Sequence, residues 1–309
     1  MLKKTLYFIF ILSFVFAFSC ADKTEKPETK SATEAQTTTT AEALPLRPVV
    51  LQELDVVYDE ERDLKLDIYH PTEIKYENSP LIVAFHGGGW VSGDRSQILY
   101  IFAPIIKELR ENGYAIATVQ YSYAQDRPFP AQLQDCENAI KYLCENAEYY
   151  NIDINSIGVL GYSAGAQLAM LSSYATAENI KYCVSFAGPS KLYGEELYEY
   201  SGGIRYVLEW LFDGPYEKNE AAYMAGSPYF YLDHIDENAN KAPLLLVHDE
   251  RDDVVPFSQS QLMYEKAIET GISCELIKLS GVYHQIDFNF YGLENEAEAV
   301  LDFIYKYSG

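Results

Sequence analysis

Short continuous apolar runs alternate with segments whose apolar residues return every three or four positions, and this rhythm fills most of the chain. The runs at 80–85, 114–119, 157–160, 182–186 and 243–248 have strand length. The one at 80–85 lacks a polar face, as in a strand covered on both sides of a parallel sheet. A further strand is predicted at 275–279. Between these runs the spacing predicts helices over 98–112, stopped by Gly113, over 131–149, 167–174, 258–270, stopped by Gly271, and 294–307. In the second of these, Leu133, Cys136, Ile140, Leu143, Cys144 and Ala147 share one face. Ahead of them, 54–58 and 64–69 alternate apolar and polar residues around an acidic turn, the pattern of a hairpin at a sheet edge. The whole predicts an α/β fold, a mostly parallel sheet with helices on both faces and a site in the loops at the carboxyl ends of the strands.

The rhythm breaks down between 190 and 231. That stretch is crowded with tyrosine and also holds Trp210 and Phe212, so it reads as a helical, aromatic-rich, cap-like excursion from the main domain. An excursion at this point can cover a site and offer stacking surface to a sugar or an arene.

The first residues follow another logic. Lys3 and Lys4 precede an almost wholly apolar stretch, 6–18, which is short for a membrane span and ends in Ser19-Cys20. Residues 1–20 are therefore expected to be a bacterial export signal, with Ala17-Phe18-Ser19-Cys20 as an imperfect lipobox and Cys20 as a lipid anchor. Ordinary cleaved secretion is the alternative. Residues 21–47, rich in Thr, Glu, Lys and Ala, cannot bury enough apolar surface to order themselves and are expected to form a tether to a domain over 48–309.

The net charge of −23 over 309 residues argues against nucleic acid and anionic lipid as partners, because the overall field repels them. The remaining cysteines, Cys136, Cys144, Cys183 and Cys274, show no metal-ligand spacing and read as small buried apolar residues, with a Cys183–Cys274 bridge left open. No cofactor is implied.

Candidate chemistry centres on Gly161-Tyr162-Ser163-Ala164-Gly165, which lies between a strand-like run and a helix-like segment. A serine on so sharp a turn needs small neighbours, which makes Ser163 the candidate nucleophile. A serine hydroxyl needs a base, and the base needs a carboxylate to fix it. In a sheet of this type the chain order is serine, acid, histidine. Of the five histidines, His284 lies after the last strand and fits best, whereas His248 reads as a packed residue at a strand end. The acid then falls in Asp249-Glu250-Arg251-Asp252-Asp253, and Asp249, Asp252 and Asp253 all stay open on spacing. The glycines of His86-Gly87-Gly88-Gly89-Trp90 let backbone amides face a ligand, so Gly88 and Gly89, with Ala164 after the nucleophile, are the candidate oxyanion donors; His86 is expected to brace their loop.

Taken together, 86–90, Pro128-Phe129-Pro130-Ala131-Gln132 with Asp135, 161–165, Ser227-Pro228, 252–256 with Gln259-Ser260, and His284 make the chain from about 64 to about 288 resemble the α/β-hydrolase esterases. The group it resembles is typified by bifunctional feruloyl and acetyl-xylan esterases and neighbours the hormone-sensitive-lipase-like enzymes. The resemblance implies Ser163 as nucleophile, Asp252 as acid, His284 as base, and the amides of Gly88, Gly89 and Ala164 as oxyanion donors. It also implies removal of short acyl groups, acetyl or feruloyl, from carbohydrate esters. Trp90, Tyr162 and Trp210 are expected to meet the substrate. Two positions depart from the pattern: Asp249 and Gln285 stand where the family usually has glycine. The competing expectations are amide hydrolysis on the same triad and a glycan-binding protein without turnover.

Overall fold

The computed structural model describes residues 51–176, 179–236 and 239–309. The expected export signal, Cys20 and the tether over 21–47 lie outside the described residues.

Those residues build one eight-stranded sheet in the order β1-β2-β4-β3-β5-β6-β7-β8. The strands are β1 (Gln52–Asp59), β2 (Leu64–Tyr69), β3 (Ser79–Phe85), β4 (Ala115–Val119), β5 (Ile152–Tyr162), β6 (Tyr182–Phe186), β7 (Leu244–Asp249) and β8 (Cys274–Leu279). β1, β2 and β4 pair antiparallel, and every pairing from β4 onward through β8 is parallel. This is the mostly parallel α/β sheet that the alternation predicts, and it agrees with the α/β-hydrolase fold that the resemblance implies.

Two apolar cores explain why the central strands are continuous apolar runs, since successive side chains leave a strand on opposite faces. Leu81, Val83 and Phe85 of β3 pack in one core with α3 (Ala131–Glu145), α5 (Ala164–Tyr174) and α9 (Ser258–Glu269). Ile82 and Ala84 of the same strand pack in the other, with α1 (Gln97–Ile101), α2 (Ala103–Glu111) and α10 (Glu294–Tyr307). β7 divides the same way, Leu244 and Leu246 against Leu245 and Val247. Tyr162, the last residue of β5, falls on the α1 side.

Two helices differ from the periodicity. The predicted helix over 98–112 is broken at Phe102 into α1 and α2. Pro104 has no N–H to offer the carbonyl of Tyr100, and its ring would clash there. Asn289 Nδ2 donates to that carbonyl instead, at 2.7 Å, and Phe288 N donates to the carbonyl of Ile101 at 3.2 Å. The predicted helix over 131–149 is likewise divided at Asn146, after which α4 (Ala147–Tyr150) follows. The aromatic excursion folds as a short 3-10 turn, Gly194–Glu199, then α6 (Gly202–Leu211), α7 (Tyr216–Ala225) and α8 (Pro228–Asp233).

Cys183 and Cys274 are free and buried, and both stand opposite Leu244, on either side of β7. Two strand spacings hold their Cα atoms about 10 Å apart, beyond the reach of a disulfide.

Asp135, the fifth residue of α3, has no exposed surface and accepts from the guanidinium of Arg62 and from Ser122 N at 2.8 Å. It ties the β1–β2 hairpin to the loop after β4. Asp135→Ala leaves the buried Ser122 N and the partly exposed Arg62 guanidinium without this acceptor, so it is expected to lower the unfolding free energy by about 2 kcal/mol in urea titration.

Candidate active site

The carboxyl ends of β3, β5, β7 and β8 deliver the site. At the end of β5 the chain turns so sharply that Ser163 takes φ 55° and ψ −118°, a conformation that costs energy for a residue with a Cβ. The turn holds because its neighbours leave no room for anything but glycine: a Cβ on Gly165 would sit 2.1 Å from the carbonyl oxygen of Phe85, and one on Gly161 the same distance from that of Gly165. Ser163 N donates to the carbonyl of Phe186 at 2.8 Å, which anchors the strained residue to β6.

Ser163 Oγ lies 2.9 Å from His284 Nε2, and His284 Nδ1 lies 2.7 Å from Asp252 Oδ2. These partners fix the tautomer. Nδ1–H donates to the carboxylate, and Nε2 is left to accept from the serine hydroxyl. The structure thus brings the three residues into one relay, and among the open acids it is Asp252 that meets His284.

Asp252 is the most heavily bonded group of the site. Its Oδ1 accepts from Val254 N and Val255 N at 2.8 and 2.9 Å, and its Oδ2 accepts from both His284 and His248 Nε2, the latter at 3.1 Å. Burial raises the pKa of the carboxyl, but the hydrogen bonds and charge of the two histidines outweigh it and hold the group well below the ordinary carboxylate range. His248 is wholly buried: it donates from Nε2, shared with the carbonyl of Val255 at 3.0 Å, and accepts at Nδ1 from Ser260 Oγ at 2.7 Å. It is packed, as the sequence suggests, yet packed against the acid. The signal in the sequence was the pair His248 and Asp252, four apart, with Ser260 following.

Asp249, one of the departures from the family pattern, also has a task. Its buried carboxylate accepts from Arg251 N through Oδ1 and from Val282 N through Oδ2, each at 2.7 Å. The Arg251 guanidinium in turn lies 5.1 Å above the ring of Tyr283. One side chain thereby ties the loop that carries Asp252 to the loop that carries His284.

Facing the serine, the loop after β3 is folded back on itself. Gly88 has φ 123° and accepts from Val91 N and Ser92 N, and a Cβ there would collide with the backbone of Ser92. Among the described residues, the amides of Gly88, Gly89 and Ala164 donate to no protein acceptor. His86 braces this loop: Nδ1–H donates to the carbonyl of Gly87 at 2.7 Å and the ring stacks on Tyr121 at 4.3 Å. Burial pushes its pKa down to about 4, so it stays neutral at ordinary pH. Gly87 N is taken by Gln97 Oε1 at 3.0 Å, a contact that no motif announced.

The three aromatic expectations separate. Trp90 is corrected: it is only 4% exposed, and its indole donates to Gln167 Oε1 at 3.0 Å while Gln167 Nε2 reaches the carbonyl of Gly226. It braces the loop against α5 and the excursion. Tyr162 is mostly buried, stacks on His284 at 5.5 Å between centroids, and donates its hydroxyl to the carbonyl of His284. Trp210 is exposed on α6 beside Tyr206. Among the described residues no group of three or more His, Cys, Asp or Glu is placed to hold a metal ion.

A family model described as BD-FAE matches residues 66–267, a span that holds Ser163 and Asp252 and stops short of His284. Among characterised relatives, Esterase LipQ of Mycobacterium tuberculosis is 26% identical over 280 residues, covering 84% of this chain and 63% of its own length. Carboxylesterase NlhH of the same species is 31% identical over 158 residues, covering 51% and 46%. The chain therefore spans roughly half to two-thirds of these relatives. Among solved structures, a truncated carbohydrate esterase from gut microbiota superposes with a TM-score of 0.69 at 21% identity, covering 83% of this chain and 96% of that one. A bifunctional GH43-CE protein of Bacteroides eggerthii gives 0.70 at 23% identity, covering 84% and 38%. At these identities the structural likeness is one of fold.

Asp252→Asn is expected to fold, and to lower kcat on a small ester by about 10⁴, because the amide no longer enforces the tautomer of His284. The pH dependence has a definite sign. A carboxyl depressed in the folded state stabilises the fold above its unfolded value of about 3.9, and that contribution is lost as pH falls through the folded value. The stability gap between wild type and Asp252→Asn in urea titrations should thus be full at pH 7 and should close in acid.

Proposed function

Because this chain belongs to the BD-FAE family, we propose that it is a serine carboxylic-ester hydrolase that removes short acyl groups, acetyl or feruloyl in type, from carbohydrate esters. The observation that carries the reading is the 2.9 Å contact of Ser163 Oγ with a histidine fixed by a buried carboxylate, near three amides that have no protein acceptor among the described residues. The printed descriptions of the relatives and of the neighbouring structures, esterases and carbohydrate esterases, support the same class.

In this mechanism Ser163 Oγ attacks the ester carbonyl while His284 Nε2 takes its proton, and Asp252 stabilises the imidazolium that forms. The amides of Gly88, Gly89 and Ala164 receive the oxyanion. They are already held in place by the Gly88 turn and the start of α5, so no reorganisation is required as charge develops. His284 then gives its proton to the departing alcohol. Water enters, loses a proton to His284, and releases the acyl group from Ser163 as the free acid.

The leader supports an exported, lipid-anchored protein: Lys3 and Lys4, the apolar stretch and Cys20 stand in the expected order. Cys20→Ser should move the protein from the membrane fraction to the soluble fraction of its host, and unchanged fractionation would exclude the anchor.

The activity is tested by presenting wild type and Ser163→Ala with 4-nitrophenyl acetate, acetylated xylan and an aminoacyl-anilide. The esterase reading expects turnover of the first two by wild type and a loss of about 10³-fold or more in Ser163→Ala. Cleavage of the anilide alone would transfer the triad to amide chemistry.

A further inference from the structure

We propose that the cleft on the flank of His284, between α1 and the loop 285–291, is the subsite for the alcohol half of the ester, and that it takes a neutral sugar ring. This rests on the esterase reading above and assigns a place and a charge preference that the reading lacks.

The direction of proton flow gives the first reason. His284 Nε2 must hand its proton to the leaving oxygen, so the alcohol departs on the side of the imidazole, away from the amides of Gly88 and Gly89. The space beside that loop is a cleft of about 390 Å³, within the ordinary size of a small-molecule site. Its lining includes Gln97, Tyr162, Gln285, Asp287, Phe290 and Tyr291, and Ile101 and Ile286 add aliphatic surface. Two of these join it to the catalytic machinery. Tyr162 stacks on His284 from one face, and Gln97 holds Gly87 at the root of the oxyanion loop.

The lining supplies the second reason. Phe290 is 75% exposed and Tyr291 is exposed beside it, a costly display of aromatic surface at the mouth of a cleft. Around them stand two amides and a carboxylate. Flat apolar faces with hydrogen-bonding groups at their edges match a pyranose, which has C–H faces and an equator of hydroxyls. Gln97 Oε1 and Asp287 Oδ1 already accept from Gly87 N and Asn289, which leaves Gln97 Nε2, the Gln285 amide and Asp287 Oδ2 to meet hydroxyls, and a purely acyl or alkyl occupant offers none. Asp287 and the net charge of −23 both disfavour a uronate, so the ring should be neutral.

Preorganisation is the third. Pro104 leaves the carbonyl of Tyr100 without its helical donor; Asn289 Nδ2 takes it, Phe288 N takes that of Ile101, and together they pin the loop that presents Phe290. Asn289 N and Nδ2 both donate to Asp287 Oδ1, closing the turn below it. Gln285 stands where the resembling family has glycine, so this wall of the cleft is a feature of the present chain. The opposite flank differs in character: a Cβ on Gly89 would lie 3.5 Å from Val207 of α6, which gives the acyl side an apolar neighbour from the excursion.

The test uses the full chain. Neutral xylohexaose, and a xylo-oligosaccharide bearing uronic acid at the terminal residue, are titrated calorimetrically into Ser163→Ala, alone and combined with Phe290→Ala or Gln285→Gly. In parallel, kcat/KM on acetylated xylo-oligosaccharide is divided by kcat/KM on 4-nitrophenyl acetate for wild type and the two single cleft variants. The proposal expects binding of the neutral oligomer, about tenfold weaker when Phe290 is removed and several-fold weaker when Gln285 is, weaker binding of the acidic oligomer, and a ratio that falls about tenfold in Phe290→Ala. Both side chains are exposed, so the variants keep the fold. Turnover of the acetylated oligomer with an unchanged ratio in both variants overturns the subsite and leaves the esterase standing. Binding that depends on Phe290, without turnover of any ester by wild type, upholds the sugar site and overturns the esterase reading. Equal affinity for neutral and acidic oligomers overturns the charge preference.

Discussion

The carboxylate of Asp252 is the point on which the rest of the site depends. It sits on the loop after β7, accepts two backbone amides through one oxygen and two imidazoles through the other, and is buried throughout. A buried charge is tolerable only when its lone pairs are filled, and here all the donors belong to groups whose own geometry the charge then fixes. His284 is turned so that Nε2 faces Ser163. His248 keeps the loop folded against β7, with Ser260 of α9 behind it. Asp249 adds the link across to Val282, which ties the loop of Asp252 to the loop of His284.

The same economy of contacts shapes the other half of the site. His86, held neutral by burial, and Trp90, turned inward to Gln167, give the oxyanion loop its shape without facing the reaction. Pro104 interrupts a helix, and the Tyr100 carbonyl it strands, with that of Ile101 beside it, becomes the anchor of the loop that follows His284. The excursion packs beside Gly89, while the loop 285–291 builds the opposite flank. The excursion, to which the sequence assigns stacking surface over the site, also reaches the acid side, where Glu199 meets Ser258 at the start of α9.

Much of this was legible before any coordinates. The apolar runs gave the strands because a strand buried on two faces must be apolar on both, and β6 and α10 fall where the pattern puts them. The pentapeptide at Ser163 and the order of Asp252 and His284 were readable because strained turns and chain order leave few solutions. What was hidden was long-range. The break at Phe102 depends on Asn289, nearly two hundred positions later in the chain, as an alternative donor. Trp90 was misjudged because its direction is set by a left-handed backbone, φ 60°, which no motif encodes. His248 was recognised as packed, but its partner was not, because the i,i+4 contact is made by a loop turning back and not by a helix.

The proposed chemistry requires Ser163 to be the activated nucleophile of this assembly. The most direct measurement is reaction of the full chain with a fluorophosphonate ester followed by peptide mass spectrometry, with the rate compared between wild type and His284→Ala. The account predicts one adduct per chain, on Ser163, forming at least 10²-fold more slowly when the base is gone. An adduct on any other residue, or labelling of Ser163 at the same rate without His284, would contradict it.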